Sequence, residues 1–197
     1  PTINITQPQD GTAISEGDDL LVLADAADEG GSVVSVAFYM DSVLLGEVTE
    51  APWEFLLENI PNGHHTITAI ATDDLGLATS ASISLFANGA PSLTINSPSS
   101  NQVYGTAEPV NVVVNASDPD GNLTTVSYYI DGDPIAQANE PPYSSIIEDI
   151  SPGTWQLVAV AADENGATDS DTVVFIVNQS PTINITQPQD GTAISEG

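Results

Sequence analysis

The 197-residue chain contains no lysine, no arginine and no cysteine, against 28 aspartates and glutamates, for a formal net charge of −28. With two histidines as its only cationic side chains it has nothing to neutralise phosphates, which excludes nucleic acid and anionic membrane surfaces as partners and removes nucleotide-handling loops. The missing lysine rules out a Schiff base, a P-loop lysine and a Lys–Asn crosslink. The missing cysteine rules out disulfides, thiol nucleophiles and thiolate metal sites. Any staple is therefore expected to use oxygen ligands. Long apolar runs are missing too: Leu20 to Ala24 and Thr172 to Val177 fall far short of the ~18 residues of a membrane helix and suit buried strands, so no membrane insertion is expected. Pro1 opens the chain without Met or a signal sequence, and an interior fragment of a longer protein is expected.

The chain is nevertheless built to fold. Hydrophobic residues make up 41% and charged ones only 14%, with Val, Ile, Leu and aromatics recurring throughout, which is not the composition of a disordered acidic tail. Residues 181–197 repeat residues 1–17 without a change, and a shift of 90 aligns residues 1–90 with 91–180 without a gap, at 21 identical pairs. The shared positions include Pro8 and Pro98, Asp28 and Asp118, Gly31 and Gly121, Val36 and Val126, Asp73 and Asp163, and Asn88 and Asn178. Two diverged modules, 1–90 and 91–180, therefore form one unit, and 181–197 begins a further copy of the first module with its first strand.

Apolar alternation in the first module marks strands near 2–6, 19–26, 34–41, 43–48, 53–57, 65–72 and 81–86. Turn residues separate them, among them Gln9-Asp10-Gly11, Pro61-Asn62-Gly63 and Asp73-Asp74-Leu75-Gly76. Helical periodicity is absent, and the fold class is all-β, a tandem of seven-stranded sandwiches. The inward sets are Val36, Phe38 and Met40 against Ile67, Ala69 and Ala71, repeated as Val126, Tyr128 and Ile130 against Leu157, Ala159 and Ala161, with small alanines facing aromatics so that the sheets approach. Ninety residues make a modest core, and no disulfide supports it.

The segments VSVAFYMDSVLLGEVTEAPWEF and IPNGHHTITAIATDDLG, matched in the second module by VSYYIDGDPIAQANEPPY and SPGTWQLVAVAADENGA, resemble bacterial immunoglobulin-like domains over all of residues 1–180. The resemblance implies a β-sandwich of the kind found in tandem arrays of secreted and surface proteins, including giant adhesins whose extender repeats bind Ca²⁺ at their junctions. It brings no catalytic fingerprint, and fold by itself does not establish a spacer role.

The strongest chemical pattern is Asp118-Pro119-Asp120-Gly121-Asn122, where two carboxylates one residue apart, followed by a turn glycine, aim hard oxygens at one Ca²⁺. In a seven-stranded sandwich that loop lies at the same end as Asp163 and Glu164 and near the incoming linker at Asn88. In the first module Asp28, Glu29, Asp73 and Asp74 are the counterparts. Gly30 there replaces the second aspartate, so that site is expected to be weaker, with Asn178 making the Asn88 contact to the next copy. The bland alternative is that these side chains only hydrogen-bond their own turns. Fourteen acidic residues in the first module, twelve in the second and two in the remainder repel one another, which fits a saline medium or one rich in divalent cations.

Other residues point to less. Asp41, Asp131 and Asp133 read as hairpin residues. His64 and His65 are the sole general-base candidates of the usual kind, but Trp155 stands at the position of His65, which marks a site for a packed ring and not for catalysis. Trp53 and Trp155 read as core plugs; lying on an exposed strip instead, they would form a sugar-stacking face. Sequons occur at Asn4, Asn115, Asn122, Asn178 and Asn184. No enzyme is expected. The expected role is a spacer repeat of a long extracellular or cell-surface adhesin, stiffened by Ca²⁺ and partnered by neighbouring copies of itself. The alternatives are a glycan- or partner-binding module and a filament subunit that associates laterally or end to end.

Overall fold

The computed structural model describes residues 1–187 and Gly191. The first repeat holds eight strands: β1 (Thr2–Gln7), β2 (Thr12–Ser15), β3 (Leu20–Ala27), β4 (Val33–Met40), β5 (Val43–Val48), β6 (Trp53–Leu57), β7 (Gly63–Asp73) and β8 (Ala78–Asn88). The second repeats them as β9 (Ser92–Ser97), β10 (Val103–Gly105), β11 (Val110–Ser117), β12 (Leu123–Ile130), β13 (Asp133–Ala138), β14 (Ser144–Ile147), β15 (Gly153–Asp163) and β16 (Thr168–Asn178). Each repeat forms a three-stranded sheet, β1-β3-β6 or β9-β11-β14, and a five-stranded one, β2-β8-β7-β4-β5 or β10-β16-β15-β12-β13.

The strand that alternation alone did not mark is β2. After β1 pairs antiparallel with β3, the chain turns at Pro8 and crosses to the other sheet, where β2 runs parallel to β8. Asp10 fixes that crossing, because its Oδ1 accepts both the Ser84 amide at 2.8 Å and the Ser84 hydroxyl at 2.6 Å. Four residues are too few to display a period, and a parallel partner 70 residues away leaves no local trace.

Both inward sets line the core, with Val36, Phe38, Ile67, Ala69 and Ala71 at 0% exposure and Met40 only part-buried at the end of β4. Their mutual placement differs from the expectation. β4 and β7 are neighbours in one sheet, in the register Val36↔Ala71, Phe38↔Ala69 and Met40↔Ile67, so the alanines lie beside the large residues and not across from them. The residue that meets Phe38 from the other sheet is Phe55 on β6, with ring centroids 5.4 Å apart and planes 19° apart. Trp53 packs part-buried against the first repeat's core, and Trp155 is half-buried at the start of β15.

By compactness the chain divides into a unit of Pro1–Leu93 with Ala116–Val126 and Val160–Ser170, and a second unit of Thr94–Asn115, Ser127–Ala159 and the residues from Asp171 on. Two loop segments of the second repeat thus belong to the first unit. Residues 182–187, identical to β1 and expected as a strand, are exposed and form none. β1 is a strand because β3 pairs with it, and among the described residues nothing pairs with 182–187. The rest of the expected copy, 188–190 and 192–197, lies outside the described residues.

Candidate functional site

The first unit contains a cluster of carboxylates and amides, and each member is placed by its local chain. β15 ends at Asp163, whose amide closes a turn on the Ala167 carbonyl while its Oδ1 accepts the Asn165 amide at 2.9 Å and the Ala167 amide at 2.8 Å. β7 ends in the same device at Asp73, whose Oδ1 accepts the amides of Leu75 at 3.0 Å and Leu77 at 2.9 Å. An aspartate two and four residues before the amides it accepts is an Asx-type staple, so one oxygen of each carboxylate is committed to its own loop. The loop before β12 repeats the pattern: Asp118 Oδ1 accepts the Asp120 amide at 2.8 Å and lies 3.4 Å from that of Asn122.

The second oxygens carry the cluster. Asn88, the buried last residue of β8, donates its Nδ2 to Asp163 Oδ2 at 2.7 Å, and its Oδ1 accepts Asn165 Nδ2 at 2.6 Å and Asn122 Nδ2 at 3.3 Å. The next residue, Gly89, donates its amide to Asp120 Oδ2 at 2.7 Å. Burial works to raise the Asp163 pKa, but the hydrogen bonds from Asn88 and from its own loop outweigh it, and the carboxyl is held below the usual range. Two oxygens remain buried without a hydrogen-bond partner, Asp118 Oδ2 and Asn122 Oδ1.

Of the ten residues expected as metal ligands, Asp118, Asp120, Asp163 and Asn88 are brought together here. Asn88 serves as an amide bridge whose oxygen is already doubly engaged, and Glu164 points an exposed side chain outward while its amide donates to the Asn122 carbonyl at 3.2 Å. In the first repeat, Asp28 Oδ1 and Asp73 Oδ2 lie 3.2 Å and 3.8 Å from the backbone nitrogen of Pro1. Asp74 accepts the Ser32 amide at 3.0 Å, and Glu29 is exposed. Asn178 is exposed at the end of β16, where its carbonyl accepts the Thr106 amide at 3.2 Å. Among the described residues no three Asp, Glu or His side chains converge as a metal-holding group.

Sequence reasoning placed Asn122 in the Asp118 loop but named neither it nor Asn165 as a site residue, because their roles depend on amides that converge only after folding. It also overlooked an open cavity of about 590 Å³ beside Trp53, lined by Thr2, Asn4, Asp25 and the alanines of β3.

Paired three- and five-stranded sheets, with the edge strand switching sheets after β1, define immunoglobulin-like β-sandwich modules in tandem. The Bacterial Ig domain family matches residues 1–69 and again 91–159, and the chain belongs to that family. It is 27% identical over 206 residues to the long isoform of an ulvan lyase from Pseudoalteromonas sp. (strain PLSV), covering 87% of this chain and 20% of that protein. It is 26% identical over 208 residues to the corresponding protein of Alteromonas sp. (strain LOR), again over 87% and 20%. The chain thus spans about a fifth of the length of the curated relatives it matches. Among solved structures, the insect immune protein hemolin gives a TM-score of 0.52 at 11% identity, over 90% of this chain and 47% of hemolin's, a likeness of fold alone.

Proposed function

We propose that these modules are non-catalytic spacer repeats of a long extracellular protein, and that Ca²⁺ at the Asp118 loop stiffens the passage from one repeat to the next. The observation that carries this is the pair of buried, unpartnered oxygens on Asp118 and Asn122 beside the amide bridge of Asn88. A buried polar atom left unpaired costs about 1–3 kcal/mol, and a hard cation relieves two such atoms at once. Asp118 and Asn122 would hold the ion with help from Asp120, an all-oxygen set in keeping with a chain that has no thiolate to offer. The ion would neutralise carboxylates that no lysine or arginine can pair.

Melting the full chain in Ca²⁺ and in chelator tests the proposal. At tenfold saturation one site adds about 1.4 kcal/mol, so the transition rises in Ca²⁺, and Asp118→Ala removes the rise. An unchanged transition overturns the cation while leaving the fold intact.

The curated relatives favour a second reading of the parent protein. Ulvan lyases matched over a fifth of their length suggest that the repeats space apart the domains of a modular polysaccharide-degrading enzyme instead of forming the stalk of an adhesin. The sequence flanking the repeats in the full-length protein decides between a lyase domain and further repeats.

A further inference from the structure

Gly89 is glycine for want of room. Its backbone is not in the left-handed region, yet a Cβ built on it would lie 2.4 Å from Pro119 Cγ and 3.3 Å from Asn62 Cβ and Nδ2. The proline ring cannot swing away as a long side chain would, and the Gly89 amide is pinned to Asp120 Oδ2 at 2.7 Å. Residue 89 and the loop tip Pro119-Asp120 therefore fit as a close pair.

One repeat later every member of this pair is different. Gln179 stands at the position of Gly89, and the loop tip matching Pro119-Asp120 in the first repeat is Glu29-Gly30. Residues 181–197 repeat residues 1–17, so a continuation of that copy would bring a Glu-Gly tip after the Gln linker, just as the Pro-Asp tip follows the Gly linker. A glutamine has no space beneath Pro119, whereas a flexible glutamate and a glycine without Cβ leave room for it.

From this matching we infer that the residue after the shared asparagine and the tip of the receiving loop form a size lock that fixes module order. The end of the first repeat accepts a module with a Pro-Asp tip, and the end of the second accepts one with a Glu-Gly tip. The partner specified is another module of this array, of the opposite kind. The inference rests on the repeats being successive links of one array but not on the cation.

The test uses the full chain in chelator, so that failure of the Ca²⁺ proposal, read separately from melting, does not enter. The readout is hydrogen-exchange protection of the Asn88 side-chain amide, whose acceptor Asp163 is untouched by the substitutions. Gly89→Gln is expected to lower that protection at least tenfold, and adding Pro119→Glu with Asp120→Gly is expected to restore it to within threefold of the parent. Gly89→Ala, which adds the Cβ alone, carries the same test should the glutamine variant not fold. Unchanged protection in the single variant, or a combined variant no better than the single one, overturns the lock.

Discussion

Trp155 occupies the position of His65 one repeat later, and the two rings make the same contact. His65 Nε2 lies 2.9 Å from the Pro61 carbonyl oxygen, and Trp155 Nε1 donates to the Ser151 carbonyl at 2.9 Å. The histidine has a second nitrogen, and its Nδ1 meets Asp41 Oδ2 at 2.6 Å. Both ring nitrogens of His65 face acceptors, so both must carry a proton for both contacts to be made. The indole makes its one contact at any pH.

A pH dependence confined to the first repeat is expected. Burial works to lower the His65 pKa, but the hydrogen bonds to Asp41 and Pro61 and the Asp41 charge outweigh it, so the value rises above the ordinary 6.5. Burial likewise works to raise the Asp41 pKa, and the hydrogen bonds from His65 and Thr66 with the His65 charge bring it below the ordinary 3.8. The histidine's contribution is complete below its unfolded value and is lost as pH rises through its folded one; the aspartate's is present above its unfolded value and lost as pH falls through its folded one. Since Asp41 is half-exposed, the loss on raising the pH from about 6 to 9 is set at about 0.5 kcal/mol. Denaturant melts across that range are expected to show this slope in the parent and none in His65→Trp; a slope that survives the substitution refutes the assignment.

Tyr128 is fully buried and its hydroxyl has no hydrogen-bond partner; burial pushes its pKa up to about 12. The matching residue in the first repeat is Phe38, also fully buried. Tyr128→Phe is therefore expected to leave stability unchanged or raise it by about 1 kcal/mol, while Phe38→Tyr lowers it by about 1–3 kcal/mol, both read from denaturant midpoints. A clear destabilisation by Tyr128→Phe would mean that the hydroxyl is satisfied after all.

Gly46 and Phe55 form another matched pair. A Cβ on Gly46 would sit 2.4 Å from Phe55 Cε2, and Phe55 is held in place by its stack on Phe38. At the matching positions of the second repeat stand Ala136 and Ser145. Gly46→Ala is expected to cost about 1–3 kcal/mol through overpacking, and much less on top of Phe55→Ser. A double-mutant cycle measures the difference, and additive costs would refute the coupling.

Asn88 and Asn178 are the same residue in two settings. Truncating Asn88 strips Asp163 Oδ2 of its donor, and Asn88→Ala is expected to cost about 1–3 kcal/mol, whereas Asn178→Ala at an exposed side chain stays within about 0.5 kcal/mol. Equal effects in thermal melts would show that the bridge contributes nothing.

Much of the fold was legible because a half-buried strand writes its burial into every second residue. Val36, Phe38, Ile67 and Ala69 announced themselves that way. Sheet membership did not, since alternation says which side chains turn inward and nothing about which strand lies alongside. That is why the alanines of β7 were placed across from Phe38 when they flank it, and why β2 went unmarked. At the site, the turn aspartates Asp118 and Asp163 were readable from their Asp-rich, Gly-containing loops. Asn88 was expected beside those loops as a metal ligand, and its use of Asn122 and Asn165 as an amide bridge was not foreseen.

Composition alone narrowed the chemistry available to this protein: without lysine, arginine or cysteine, its polar contacts fall mainly to oxygen and amide groups, with two histidines as the only cationic side chains. The 90-residue repeat settled that residues 1–180 hold two diverged modules and that residues 181–197 repeat the opening of the first. What required the folded chain was the pairing of groups far apart in sequence, Asn88 with Asp163 and Gly89 with Pro119, because a hydrogen bond or a steric fit depends on distances that no spacing along the chain encodes.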